Sequence, residues 1–212
     1  MSKSLDKINV RFSDAQQERS RKTLDDLFDA ASTIVESGDP GQFDARTLSK
    51  VSGYSLGSLV KRLGKIENVF LYVITLQRSR ELQKIAQELG RLEPDVDPRR
   101  FVETLADLAF KRIEKVNPSV IRYYEKRALA RADDLAAVYS YTEEIVDPLL
   151  QLIEANQAGK FRNLDRNEAS YICRAMFLFI ERPYVERNPI AGTDIHRRMV
   201  VENIARLLAA NH

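Results

Sequence analysis

Residues Ala45 to Ile66 read ARTLSKVSGYSLGSLVKRLGKI, and these 22 positions decide the fold. Asp44 stands just ahead of them as an N-cap for a short helix carrying Leu48 and Val51, and Gly53 supplies the left-handed residue that ends it. Ser55 caps a second helix whose Leu59 and Leu63 face inward. Two short helices joined by a tight glycine turn form a helix-turn-helix, a unit whose second helix suits the major groove of a duplex. The stretch holds no Asp or Glu, yet carries Arg46, Lys50, Lys61, Arg62 and Lys65. The whole chain is nearly neutral, with 33 Lys+Arg against 31 Asp+Glu. Such a one-sided window is either a surface for a polyanion or a solvated basic face, and charge alone does not separate the two. For the first alternative, Leu56, Ser58 and Lys61 are placed for base edges and Gly57 permits close approach. Arg46, Ser55, Arg62 and Lys65 are then the phosphate candidates.

Outward from this stretch the chain reads as helix throughout. Five of the eight glycines fall between residues 38 and 64, and no Asn-Gly or Asp-Gly pair signals a hairpin. Asp97-Pro98 and Asn117-Pro118 each place a cap before a proline at the first helical position. Asp165 with Glu168 forms a capping box, and Thr193 caps a segment in which Ile195, Met199, Val200, Ile204, Leu207 and Leu208 recur at helical spacing. Residues 67–89 read as one long helix. Pro148, inside the run 134–158, predicts a kink or break there. The expectation is an all-α chain of about nine helices: a three-helix domain over 1–66, with a basic arm at Lys3, Lys7 and Arg11, then a helical bundle over 67–212.

Composition narrows the class. With 212 residues and 44% hydrophobic content the chain can bury a core without staples. A single cysteine, Cys173, excludes an intrachain disulfide and suits the cytoplasm. His196 and His212 with that cysteine do not make a zinc set, and no cofactor motif is present. The longest apolar runs, Val69–Ile74 and Ala175–Ile180, are far short of a membrane span, and Met1 to Asp14 has no run of signal-peptide length. Gly53-Tyr54-Ser55-Leu56-Gly57 satisfies the G-x-S-x-G pattern of serine esterases, with His196 downstream. That pattern works only at a strand-to-helix turn, and its flanks read as helix, so an enzyme is the least supported class. His196 reads as a first-turn surface histidine, and Cys173 as a buried small hydrophobe.

The last two helices carry more apolar residues than one inward stripe requires. Ile172, Met176, Phe179 and Ile180 lie on one, and Val200, Ile204, Leu207 and Leu208 on the other. Either both are central helices of the domain, or they meet a second copy.

The constellation Leu27, Phe28, Ala30, Ala31, Ile34, Val35 and Gly38 resembles the first helix of TetR-family regulators. Leu48 to Gly53, then Tyr54 to Leu59, resembles that family's helix-turn-helix, and Lys61 to Glu67 the stretch leading into its fourth helix. Three departures stand out: Val60 where the family places a tyrosine, Ile66 where it places a lysine, with Lys65 one position earlier, and a longer loop at Asp39–Gln42. The resemblance implies a homodimer that binds a near-palindromic double-stranded DNA operator as a repressor and is released by a small-molecule effector. It favours the two-fold reading of the last two helices. Phe110, Tyr123, Tyr124, Tyr141, Met176 and Phe177 are core by default, and an effector pocket would draw its walls from among them. The rival of another class is a helical interaction protein that keeps the fold without specific DNA binding.

Overall fold

A computed structural model describes residues 18–130 and 135–210. Among these residues there are nine α-helices and no strand beyond one isolated bridge, Phe161 with Ala209. The helices are α1 (Glu18–Glu36), α2 (Ala45–Ser52), α3 (Leu56–Leu63), α4 (Ile66–Leu89), α5 (Pro98–Ile113), α6 (Pro118–Leu129), α7 (Glu143–Ala155), α8 (Arg166–Glu186) and α9 (Asp194–Leu208). Short 3-10 segments occupy Pro40–Gln42 and Leu135–Thr142. The all-α expectation holds in class and in number. The basic arm at Lys3, Lys7 and Arg11, and His212, lie outside the described residues.

The caps read from the sequence form as expected. Asp97 accepts from the Arg100 N–H at 2.9 Å and Asn117 from the Ser119 N–H at 2.9 Å, each with proline in the first turn. The capping box of Asp165 and Glu168 is complete, and Thr193 accepts from the His196 N–H. Pro148 behaves otherwise. Helix α7 runs through it, and the break in the 134–158 run falls earlier, where 3-10 geometry gives way to α-helix at Glu143. The proline lies only one turn and a half into α7, so it removes a single hydrogen bond near the helix start instead of splitting a long ladder.

The chain divides into two compact units. One comprises the chain up to Arg78 together with 117–140, and the other 79–116 together with 141–212. The division falls within α4, between Arg78 and Ser79, and not at the expected residue 66, and it sets 117–140 with the first unit.

In the first unit, Leu27, Ala31 and Ile34 of α1 are buried with Leu48 of α2, Leu59 and Leu63 of α3, and Val69, Phe70 and Ile74 of α4. Helix α6 adds Val120, Tyr124 and Ala128 to the same cluster. Phe43, between the 3-10 turn and α2, stacks on Phe70 at 4.9 Å and meets the edge of Tyr123 at 5.0 Å. Gly38 ends α1 with φ +77°, and a Cβ there would fall 3.0 Å from the Cβ of Asn117. Backbone conformation and close approach both demand glycine at this point.

In the second unit, α5, α8 and α9 pack around Phe101, Leu105, Phe110, Phe177, Ile180, Val200 and Ile204. The connection after α7 is tied to the end of α9 by Arg162 N–H to Leu208 O and Ala210 N–H to Lys160 O, both at 2.9 Å. No described helix is long and apolar enough to cross a membrane.

Candidate nucleic-acid interface

The helix-turn-helix is held by side chains that the sequence spends on its own backbone. Asp44 accepts from the Arg46 N–H at 2.7 Å, the Thr47 N–H at 2.9 Å and the Thr47 hydroxyl at 3.2 Å. Gly53 adopts φ +75° as the cap of α2. Ser55 accepts from the Ser58 N–H at 3.3 Å and so fixes the start of α3. The turn between the helices is locked further by Tyr54. Its carbonyl accepts from the Ser49 hydroxyl at 2.6 Å, and its phenol donates to Asp26 of α1 at 2.7 Å. Sequence reading missed this tyrosine as a structural tie. Its signal was a polar-tipped aromatic in a tight turn, which needs a partner for its hydroxyl when half-buried.

The hydrogen bond from the Thr47 N–H, helped by those from Arg46 and the Thr47 hydroxyl against weak burial, lowers the Asp44 carboxyl below the ordinary aspartate value. A depressed value means the ionised cap adds stability above the unfolded value, and that contribution is lost as pH falls through the folded one. Asp44→Ala is expected to cost about 1 kcal/mol at neutral pH. Asp44→Asn should keep most of the cap while flattening the fall in stability as pH drops below the ordinary aspartate range. Urea titrations at several pH values check both; parallel profiles for wild type and Asn variant would contradict the assignment.

With Leu59 and Leu63 turned into the core, the opposite side of α3 is open. Arg46, Lys50, Lys61 and Lys65 are exposed, Ser55, Leu56 and Gly57 are exposed, and Ser58 and Arg62 are half-buried. All eight residues expected to meet DNA therefore lie on α2, α3 or their adjoining turns, and none is sunk in the core. Val51 and Val60 are exposed on the same two helices and were not among them.

The residues expected to line a pocket are divided between the two units. Tyr123 and Tyr124 belong to the first unit, where the Tyr124 phenol lies 3.3 Å from both the Thr75 hydroxyl and the Val138 carbonyl. Phe110, Tyr141, Met176 and Phe177 are buried in the second. A separate cavity of about 420 Å³ in that unit is lined by Leu150, Ile153, Glu154, Phe161, Asn163 and Leu164, none of them expected.

Of the residues expected at a subunit interface, Ile172, Met176, Ile180, Val200, Ile204 and Leu208 are buried within the second unit, and only Phe179 and Leu207 stand exposed. Tyr171, Ile195 and Met199 are exposed beside them on α8 and α9. His196 corrects a further expectation, since it is buried and not on the surface. The Gly192 N–H donates to its Nδ1 at 3.1 Å, so the ring proton sits on Nε2, 2.9 Å from the Phe179 carbonyl. The ring meets the edge of Phe110 at 4.9 Å. The G-x-S-x-G stretch forms a helix-to-helix turn with Ser55 as a cap, and both nitrogens of His196 are engaged by Gly192 and Phe179. Cys173 is buried, and burial, with Glu143 adding to it, pushes its thiol up to about 12, which leaves it inert as a nucleophile.

No family sequence model and no curated protein sequence matches the chain. Solved structures do match in fold. A structure assigned to a TetR-family transcriptional regulator from Mesorhizobium loti superposes with a TM-score of 0.60 at 14% identity, over 92% of this chain and 100% of that one. The multidrug-binding protein EbrR, complexed with imidazole, gives 0.57 at 15% identity over 93% and 98% of the two chains. The fatty acid degradation regulator FadR from Bacillus halodurans gives 0.54 at 16% over 93% and 98%. The chain thus has the fold of TetR-family regulators along nearly its whole length.

Proposed function

We propose that this chain is a cytoplasmic transcriptional regulator of the TetR type, a homodimeric repressor that binds a near-palindromic operator and leaves it when a small molecule binds. The observation that carries the reading is the acid-free stretch 45–66 folded as a helix-turn-helix, with Arg46 and Lys50 exposed on α2, Lys61 exposed on α3 and Lys65 exposed just beyond it. Two such faces held about 34–36 Å apart by a dimer fit successive major grooves. Residues 1–66 do the reading of DNA, and residues 67–212 supply the partner contact and the effector site. Fold likeness to EbrR, a multidrug-binding protein, supports a small-molecule site in kind, with buried Phe110, Tyr141, Met176 and Phe177 as the apolar wall available in the second unit. An effector that favours one arrangement of the two reading heads shifts the population by its differential affinity, and a full switch needs about 5.5 kcal/mol of it.

The test is a gel-shift titration of the full chain against the DNA flanking its own gene at two salt concentrations. Specific binding that weakens steeply with salt is the expected result. Lys61→Ala should cost about 1–3 kcal/mol on the preferred duplex and relax its specificity, whereas Lys65→Ala should weaken all duplexes alike and reduce the salt slope by about 1. Both side chains are exposed, so unfolding midpoints should not move. Equal affinity of parent and Lys61 variant would remove that residue from the interface. Binding to no duplex at low salt would favour the interaction protein without DNA binding.

A further inference from the structure

We propose that the reading face of α3 selects thymine through its methyl group, with Val60 and Leu56 as the specificity-determining residues. This rests on the DNA-binding reading above and adds the chemistry of the bases read. Among the described residues nine large hydrophobics are exposed, and three of them, Val51, Leu56 and Val60, fall within ten positions of the helix-turn-helix. Val60 is 59% exposed and Leu56 45%. They stand four apart on α3 and are therefore neighbours along the helix, while Leu59 and Leu63 take the inward side. Lys61 follows Val60 on the helix and Lys65 stands just beyond its end, and both are exposed.

An aliphatic side chain among cations has one favourable partner in a major groove. Against guanine O6 and N7, adenine N6 or cytosine N4 it would strip water from a polar group and return no hydrogen bond. Against thymine it meets the C5 methyl, the only apolar group that any base presents on that edge. Val60 is β-branched and holds essentially one rotamer in a helix, so little side-chain entropy is lost on contact. Gly57, one position from Leu56, leaves open space where a side chain would stand, since a Cβ built there meets nothing within 4 Å. The backbone of α3 can then come close enough for short apolar side chains to reach the bases. The cations set the affinity, and the two aliphatic side chains set which bases satisfy it.

The experiment selects binding duplexes from a random pool with the full chain at low salt. Each thymine of the selected site is then replaced in turn by deoxyuridine, which removes only the methyl group. Selected half-sites are expected to carry thymine at two or more positions of one edge. Uridine at a contacted position should weaken binding about fourfold per methyl, or roughly fifteenfold for the symmetry-related pair. Val60→Ala should lose a similar factor on the thymine duplex and become indifferent to uridine at one of those positions. Its exposed site means its melting curve should match the parent. Tight selected duplexes that tolerate uridine everywhere, or a Val60→Ala variant with unchanged uridine sensitivity, overturn the thymine reading and leave the regulator standing. A pool from which nothing is selected overturns both.

Discussion

Glu181→Ala is expected to destabilise the second unit by about 3–5 kcal/mol, more than any truncation of the basic face. Glu181 on α8 accepts from Arg112 on α5 at 3.3 Å, and the two side chains are only 3% and 9% exposed. Phe110, Ile113, Phe177, Ile180 and Val185 are buried on the same two helices. Removing the carboxylate would take from a buried guanidinium the counter-charge 3.3 Å from it, and a guanidinium does not shed its proton to escape. The double replacement Arg112→Met with Glu181→Leu is the informative control. Exchanging a buried pair for apolar residues of similar volume is often neutral or stabilising by about 1–4 kcal/mol. Urea unfolding should therefore show a large drop in midpoint for the single variant, recovered by the double, at constant m-value. A single variant within about 0.5 kcal/mol of the parent would mean that the pair is hydrated in solution.

The sequence made local features legible and left the facing of the later helices ambiguous. Every cap expected from residue type, at Asp44, Ser55, Asp97, Asn117, Asp165 and Thr193, forms in the structure. A cap depends on the two or three residues beside it, all of which are visible in the sequence. Helix α9 shows what is not visible. Its apolar residues fit two faces about 100° apart, one through Ile195, Met199 and Leu207 and one through Val200, Ile204 and Leu208. The structure turns the second face inward together with His196, because Gly192 and the Phe179 carbonyl satisfy both ring nitrogens there. Only tertiary partners reveal that, and the sequence by itself reads His196 as a surface residue. The same ambiguity on α8 placed Ile172, Met176 and Ile180 at an interface when they belong to the core. For the candidate DNA face the residues were legible and their surroundings favoured them. At Val60 the resemblance marks only a missing tyrosine, whereas an exposed aliphatic side chain on α3 has chemistry of its own.

The pair Phe179→Asp and Met199→Asp is expected to dissociate the proposed dimer while leaving each subunit folded. Tyr171 and Phe179 on α8, 73% and 49% exposed, and Ile195, Met199 and Leu207 on α9 form apolar stripes on two helices joined by the contact of His196 Nε2 with the Phe179 carbonyl. Apolar stripes on adjacent helices of one unit call for cover, and in the proposed dimer a second copy related by a two-fold axis supplies the same two helices in return, four in all. Each aspartate then appears twice in the assembled interface, so the dissociation constant should rise by at least about a thousandfold. Operator affinity should fall with it, since one reading head alone engages only half of a site. Sedimentation at micromolar concentration checks the first effect and gel shift the second. Ile204→Ala is the contrasting variant: Ile204 is buried within the subunit, so it should cost about 2–5 kcal/mol of folding stability and leave the dimer constant nearly unchanged. If the double aspartate variant sediments as a dimer, the two-fold surface lies elsewhere, and the spacing of the reading heads has to be set by another pair of helices.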